Sequence, residues 1–326
     1  MMPALPTSIT LFLSYLSLAW PFLLLGVLIS SALMAFTDEH RWVARFPRNR
    51  LLGSLVGSGL GLLLPVGQLG CLPIVRRFLI QGAPLPLVIS FGLAAPTINL
   101  VTIYLMFGPL ASQPRLIFLR LLLTWFLAIV IALVFSTYRE PAPATPEGVP
   151  LSKIPLLYAG SLVAKDRVTD PLQRSGNLVY ESSFDPVHRW DWSLKWRLFL
   201  DNTSQELREW GGVLVVMTAL AAGIQSILPQ AHWIDWATTP VRQILVMMVW
   251  AFCYPLGSIF NAAFVVPLLE QFWSGALLAF LILGSILNLQ TLGLGLIAFH
   301  WRPLLYLGLL VMQLTFIFAL AVNLSL

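Results

Sequence analysis

Charge is scarce in this chain. Only 10% of its 326 residues are Asp, Glu, Lys or Arg, against about 25% in an ordinary soluble domain. Cysteine is nearly absent as well. Cys71 and Cys253 are the two thiols; they build no disulfide framework and read as small buried hydrophobes rather than soft-metal ligands. There is no G-x-x-x-x-G-K-[ST] phosphate loop, no H-E-x-x-H, no G-x-S-x-G and no grouping of His with carboxylates. Nucleotide hydrolysis, zinc proteolysis and serine hydrolysis are therefore unsupported. No catalytic residue, metal site or cofactor is expected. The central parts of the apolar stretches hold no Asp, Glu or Lys. Glu270, Arg76 and Arg77 fall at the ends of short segments, which argues against an intramembrane carboxylate relay.

What the chain has in abundance is apolar sequence. Hydrophobic residues make up 58% of it, with a mean hydropathy of +0.84, and several windows exceed the roughly 18 residues of a membrane span. The expected fold is an all-α, polytopic integral membrane protein of a prokaryotic inner membrane, with the lipid bilayer as its first partner. The net charge of +5 then marks cytoplasmic loops, not a nucleic-acid partner. Met1–Thr10 has no Lys or Arg and reads as the start of a retained span rather than a cleaved leader.

One pattern occurs twice. Pro65, Gly67, Phe91 and Asn99 are echoed by Pro255, Gly257, Phe280 and Asn288, with eight residues from Phe to Asn in both. Trp20 and Trp210 keep the same offset upstream. The chain divides into a first membrane repeat, 1–137, a polar linker, 138–209, and a second membrane repeat, 210–326. The linker begins with a Pro/Ala-rich stretch, 141–146. It ends in a Trp-rich basic run, Trp190–Trp196, suited to an interfacial helix. Spans are expected at about 8–36, 85–108, 115–137, 210–228, 275–299 and 303–324. Between them, 51–64 with 71–81, and 244–254 with the stretch up to Gln271, are too short to cross singly. If each short pair enters and leaves on one side, each half crosses three times and the repeats are inverted; if each pair makes one crossing, the repeats are parallel. The basic loops at Arg41–Arg50 and Arg302 favour the inverted form, although Arg115 and Arg242 then lie outside.

Interrupted helices in a duplicated membrane chain usually mark a binding site. Irregular backbone at membrane depth survives only against protein or a water-filled cavity, and its free N–H and C=O groups attract ligands. Pro65, Gly67, Gly70, Pro73, Pro96, Pro255 and Gly257 are expected to shape such a site. Gln68, Asn99, Ser258, Asn261 and Asn288 are expected to bind the solute, with Thr97, Thr102, Ser285 and Gln290 secondary. Tight helix packing around Pro and Gly, and interhelical bonding by the two Asn, are the plainer readings of the same residues.

The run Leu64-Pro-Val-Gly-Gln-Leu-Gly-Cys-Leu-Pro73, followed by Arg76-Arg77, Gly82-Ala-Pro-Leu, Phe91 and Ala94-Ala-Pro-Thr-Ile-Asn99, resembles the predicted-permease family that includes the ArsP-type organoarsenical efflux permeases. Pro65, Gly70 and Pro73 match its first motif in register, and Ser258 and Ala262 are similar to its second. The resemblance implies a permease fold and role. The family's motif thiols are replaced by Gly67, Leu69 and Gly257, and its acidic positions by Asn261 and Asn288, so the fold and the permease role carry over better than its thiol-seeking cargo. Two readings result. The chain is a permease for a small solute or ion, metal or metalloid efflux being one form. Alternatively, it is a permease-derived accessory subunit, docking to a membrane-protein partner or to itself through the Trp-rich segment.

Overall fold

The computed structural model describes residues 4–37, 45–137, 192–227 and 230–325. The Pro/Ala-rich stretch 141–146, Trp190 of the Trp-rich run, and Asp38, Glu39 and Arg41 lie outside them. Every regular element among the described residues is helical, and five helical stretches are long and apolar enough to cross a bilayer. The protein is an all-α polytopic membrane protein.

Helix α1 spans Ala4–Phe36, α2 Arg50–Leu63, α3 Gly67–Ile80, α4 Leu85–Ala94, α5 Leu100–Met106 and α6 Pro114–Ser136. After the linker come α7 Trp192–Ile227, α8 Gln230–Trp236, α9 Pro240–Cys253, α10 Gly257–Val265, α11 Ser274–Ile286, α12 Leu289–Ala298 and α13 Trp301–Ser325. The stretches expected as single spans at 85–108 and 275–299 are each broken in two, between α4 and α5 and between α11 and α12. The boundary drawn between Glu209 and Trp210 falls inside α7, which starts at Trp192 and continues as one helix of 36 residues.

Small residues set how the helices meet. On α2 the buried stripe Gly53, Gly57 and Gly61 faces α4. A Cβ on Gly57 would strike the Leu87 carbonyl, and one on Gly61 would lie 2.8 Å from Ala95 N. Position rises along both helices together, so α2 and α4 run parallel. They start on the same side of the bundle, hereafter the near side. A helix of 14 residues reaches only about 21 Å, short of the roughly 30 Å hydrocarbon core. The following α3 must therefore bring the chain back to the near side. In the second half Gln243 Oε1 accepts from Trp273 N at 2.9 Å, and Gly284 packs on Ala251. Thus α9 and α11 are also parallel and α10 also turns back, here to the far side.

The two halves meet along α1 and α7, which run antiparallel. Tyr15 donates to Gln225 near one end, Ser30 to Glu206 at 3.1 Å further along, and Phe36 packs 5.5 Å from Trp192 at the other. Helix α3 lies parallel to α1, where Gly26 and Gly70 bring the two backbones into direct contact. Gly70 thus serves close approach of two helices rather than a bend.

Candidate functional site

The Pro65 and Pro255 interruptions have the same local construction. Leu64 N donates to Leu60 O at 3.2 Å and Val66 N to Leu64 O at 2.9 Å; Tyr254 N donates to Trp250 O at 2.8 Å and Leu256 N to Tyr254 O at 2.9 Å. The chain then passes through a left-handed residue, Gly67 at φ 64° or Gly257 at φ 78°, a conformation that costs an L side chain about 1–2 kcal/mol. Proline ends the incoming helix without a donor, and glycine permits the sharp restart.

These two restarts face one another. A cleft lies between them, lined by Phe22 of α1, Gly67 and Gln68 of α3, Thr102 of α5, Gly257 and Ser258 of α10, and Gln290 of α12. It is narrow. A second cavity lies nearer the α2 entry side and is lined by Cys71, Val75, Pro96, Thr291 and Phe299 among others. Gln68 borders both.

The expected polar residues divide into two groups. Gln68 and Ser258 line the cleft. Gln68 Nε2 donates to Gly284 O at 3.1 Å, while Gln68 Oε1 and Ser258 Oγ have no hydrogen-bond partner. Asn261, fully buried behind them, approaches Ser285 Oγ at 3.5 Å through Nδ2, and its Oδ1 is unpartnered. Asn99 and Asn288 are placed differently. Each is the N-cap of the second half of a broken span. Asn99 Oδ1 accepts from Thr102 N at 2.7 Å and Asn288 Oδ1 from Thr291 N at 2.9 Å, with Thr291 Oγ1 accepting from Asn288 N at 2.8 Å. Their side-chain nitrogens reach Ala95 O at 2.9 Å and Gly284 O at 3.4 Å. Neither borders the cleft. Pro96 sits in the α4–α5 break and Pro73 is buried inside α3.

Replacing Asn288 by Ala is expected to lower stability by about 1–2 kcal/mol, the upper range for a lost cap, because the Thr291 N–H that it caps belongs to a buried residue. Thermal melting of the detergent-solubilised protein reads this, and an unchanged Tm would disprove the cap's importance.

Two charged features escape the sequence reading. Arg120 of α6 is 0% exposed. Its guanidinium donates to Ser285 Oγ at 2.5 Å, Ser258 O at 3.2 Å and Met106 Sδ at 2.9 Å, and its Nε has no partner. The available signal was its isolation: it is the one charged residue in 116–136. The other feature joins α3 to α7. Arg77 pairs with Glu206 at 2.5 Å and Arg76 with Glu209 at 2.9 Å. Asn202, Ser30 and Ser31 complete the network, and Arg76 lies 5.9 Å from the centre of the buried Trp210 ring. The carboxylate partners that the sequence reading placed in a polar linker are thus packed against the membrane bundle. Among the described residues no group of His, Cys, Asp and Glu could hold a metal ion.

Comparison with known proteins agrees with this architecture. The chain is 26% identical over 293 residues to the UPF0718 protein YcgR of Bacillus subtilis, covering 90% of this chain and 89% of that one. It is 27% identical over 297 residues to a putative two-component membrane permease complex subunit of Streptococcus mutans, covering 88% and 87%. No solved structure matches. A family model described as predicted permease, ArsP_1, matches residues 5–324. The chain belongs to this predicted-permease family, as an integral protein of the prokaryotic plasma membrane.

Proposed function

We propose that the chain carries a small solute across the membrane through the cleft between its two interruptions, and that its halves are inverted repeats. The observation behind this reading is the meeting of two helix restarts, at Gly67 and Gly257, on one polar-lined space. Such breaks are where transporters of inverted-repeat construction hold their cargo. Each half makes three crossings if α2–α3 and α9–α10 turn back on the side they entered, and the antiparallel packing of α1 on α7 fits the inversion that follows. Arg45, Arg48, Arg50, Lys195, Arg197 and Arg302 gather on the near side, which is then cytoplasmic. Gln68 and Ser258 touch the cargo, Asn261 supports them from behind, and Asn99 and Asn288 hold the broken spans in shape. Pro65, Gly67, Pro255 and Gly257 form the breaks. The cleft lining contains no thiol, so a soft metal is a poor fit.

A water-filled path can be tested without knowing the cargo. In a background with Cys71 and Cys253 replaced by Ser, Ser258→Cys is expected to react with a small, charged, membrane-impermeant thiol reagent, and Phe280→Cys, buried in α11, is not. Protection of Ser258→Cys from both faces of the membrane would end the transport reading.

The name of the Streptococcus mutans relative favours a second reading, in which the chain works as one subunit of a membrane complex. A stoichiometric partner copurifying from the native membrane, together with loss of thiol labelling at Ser258→Cys, would select it.

A further inference from the structure

We infer that the cleft is an anion site, and that the cargo is a small anion or carries an anionic group. This deepens the transport reading and rests on it for its biological meaning. Four helices begin close to the middle of the bundle: α3, α5, α10 and α12. The first turn of each presents backbone N–H groups with no intrahelical acceptor, and carries positive partial charge. Two of these starts are capped, α5 by Asn99 and α12 by Asn288. The other two, α3 and α10, have no side-chain cap; their first residues, Gly67 and Gly257, line the cleft beside Thr102 and Gln290 from the first turns of the capped pair. At membrane depth water is not freely available to satisfy such groups.

The side chains add to the same sign. Ser258, 5% exposed, has an unpartnered hydroxyl in the cleft wall. Behind it lies Arg120, whose guanidinium holds the Ser258 carbonyl. Arginine stays protonated even when buried, and an intramembrane charge ordinarily has a counter-charge. The partners of Arg120 are a hydroxyl, a carbonyl and a thioether. Among the described residues no carboxylate reaches it, since the ion pairs there belong to Arg76 and Arg77. No acidic residue lines the cleft. An anion seated between Gly67 and Ser258 would take hydrogen bonds from the uncapped N–H groups and the Ser258 hydroxyl, and would balance Arg120 across the wall. The unpartnered Gln68 Oε1 is an acceptor, so an anion that retains a hydroxyl, such as hydrogen phosphate or bicarbonate, uses the site more fully than nitrate or chloride.

Thermal melting of the purified full chain in detergent tests this. Sodium bicarbonate, phosphate, nitrate and chloride are each titrated against gluconate at matched ionic strength. A saturable rise in Tm of about 3 °C is expected for at least one of them, larger for the hydroxyl-bearing anions and absent in Arg120→Gln. No saturable rise with any of the four, or an equal rise in Arg120→Gln, overturns the inference. If Arg120→Gln does not accumulate, Ser258→Ala decides: it is expected to weaken the apparent affinity about tenfold, as loss of one hydrogen bond to a charged ligand does, and an unchanged affinity overturns the site. Because this is a binding measurement, its failure leaves the thiol-labelling test of a hydrated path intact. Protection of Ser258→Cys would in turn leave any anion response standing as a static site.

Discussion

Arg77→Met is expected to destabilise the protein by about 3–5 kcal/mol, a fall in Tm of roughly 6–10 °C, because it strands Glu206 inside the bundle. Glu206 is 8% exposed and Arg77 4%. The carboxylate also accepts from Ser30 and Asn202, each at 3.1 Å, but these neutral donors do not balance its charge. Glu206→Met should cost a similar amount by leaving the guanidinium alone. The double variant Arg77→Met/Glu206→Met should regain most of the loss, since two apolar chains of similar volume replace an ion pair whose desolvation roughly cancels its attraction. Melting curves of the three variants decide the matter. Additive losses in the double variant would show that the two side chains act independently. The pair also fixes α3, the returning limb of the first interruption, against α7 of the other half.

Gly70→Leu is expected to prevent accumulation of folded protein. A Cβ at this position would overlap the Phe22 carbonyl oxygen and lie 3.2 Å from Phe22 C and 3.3 Å from Gly26 N. These are backbone atoms of α1 and cannot rotate away as a side chain would. The helices must separate, and the cost exceeds the usual 1–3 kcal/mol of overpacking, at more than about 3 kcal/mol. Gly26→Leu should behave alike, because its Cβ would meet the Gly70 backbone. Gly59→Ala and Gly212→Ala are the controls. Both lie in helices with nothing within 4 Å of the added carbon, and should be neutral or gain up to about 1 kcal/mol from helix propensity. Yield and monodispersity after detergent extraction report the outcome. A well-folded Gly70→Leu protein would show that α1 and α3 are less closely apposed than described.

The residues that were legible in the sequence are those whose chemistry is conspicuous at membrane depth. Pro65 with Gly67, and Pro255 with Gly257, break helices wherever they occur, so both interruptions could be placed to the residue. Asn99 and Asn288 could be recognised as buried amides, but not as caps. Capping depends on whether the helix restarts at that residue, and 85–108 and 275–299 are apolar enough throughout to read as unbroken spans. Arg120 stayed hidden because its partners are neutral and two of the three come from distant segments, α10 and α11. Glu206 and Glu209 were masked by the polar sequence before them. Their arginine partners lie more than a hundred residues earlier, and only the packing of α3 on α7 brings them together.

Gln68 stands where the two cavities adjoin. On the proposed route, a cargo leaving one for the other displaces a single amide held by one hydrogen bond to Gly284 O, worth about 1 kcal/mol net. So slight a latch does little to slow passage by its own strength. On that route the check on leakage falls to the bulk of the Gln68 side chain rather than to its bond, and Gln68→Ala is expected to leave the two spaces joined, which a faster thiol reaction at Ser258→Cys would report.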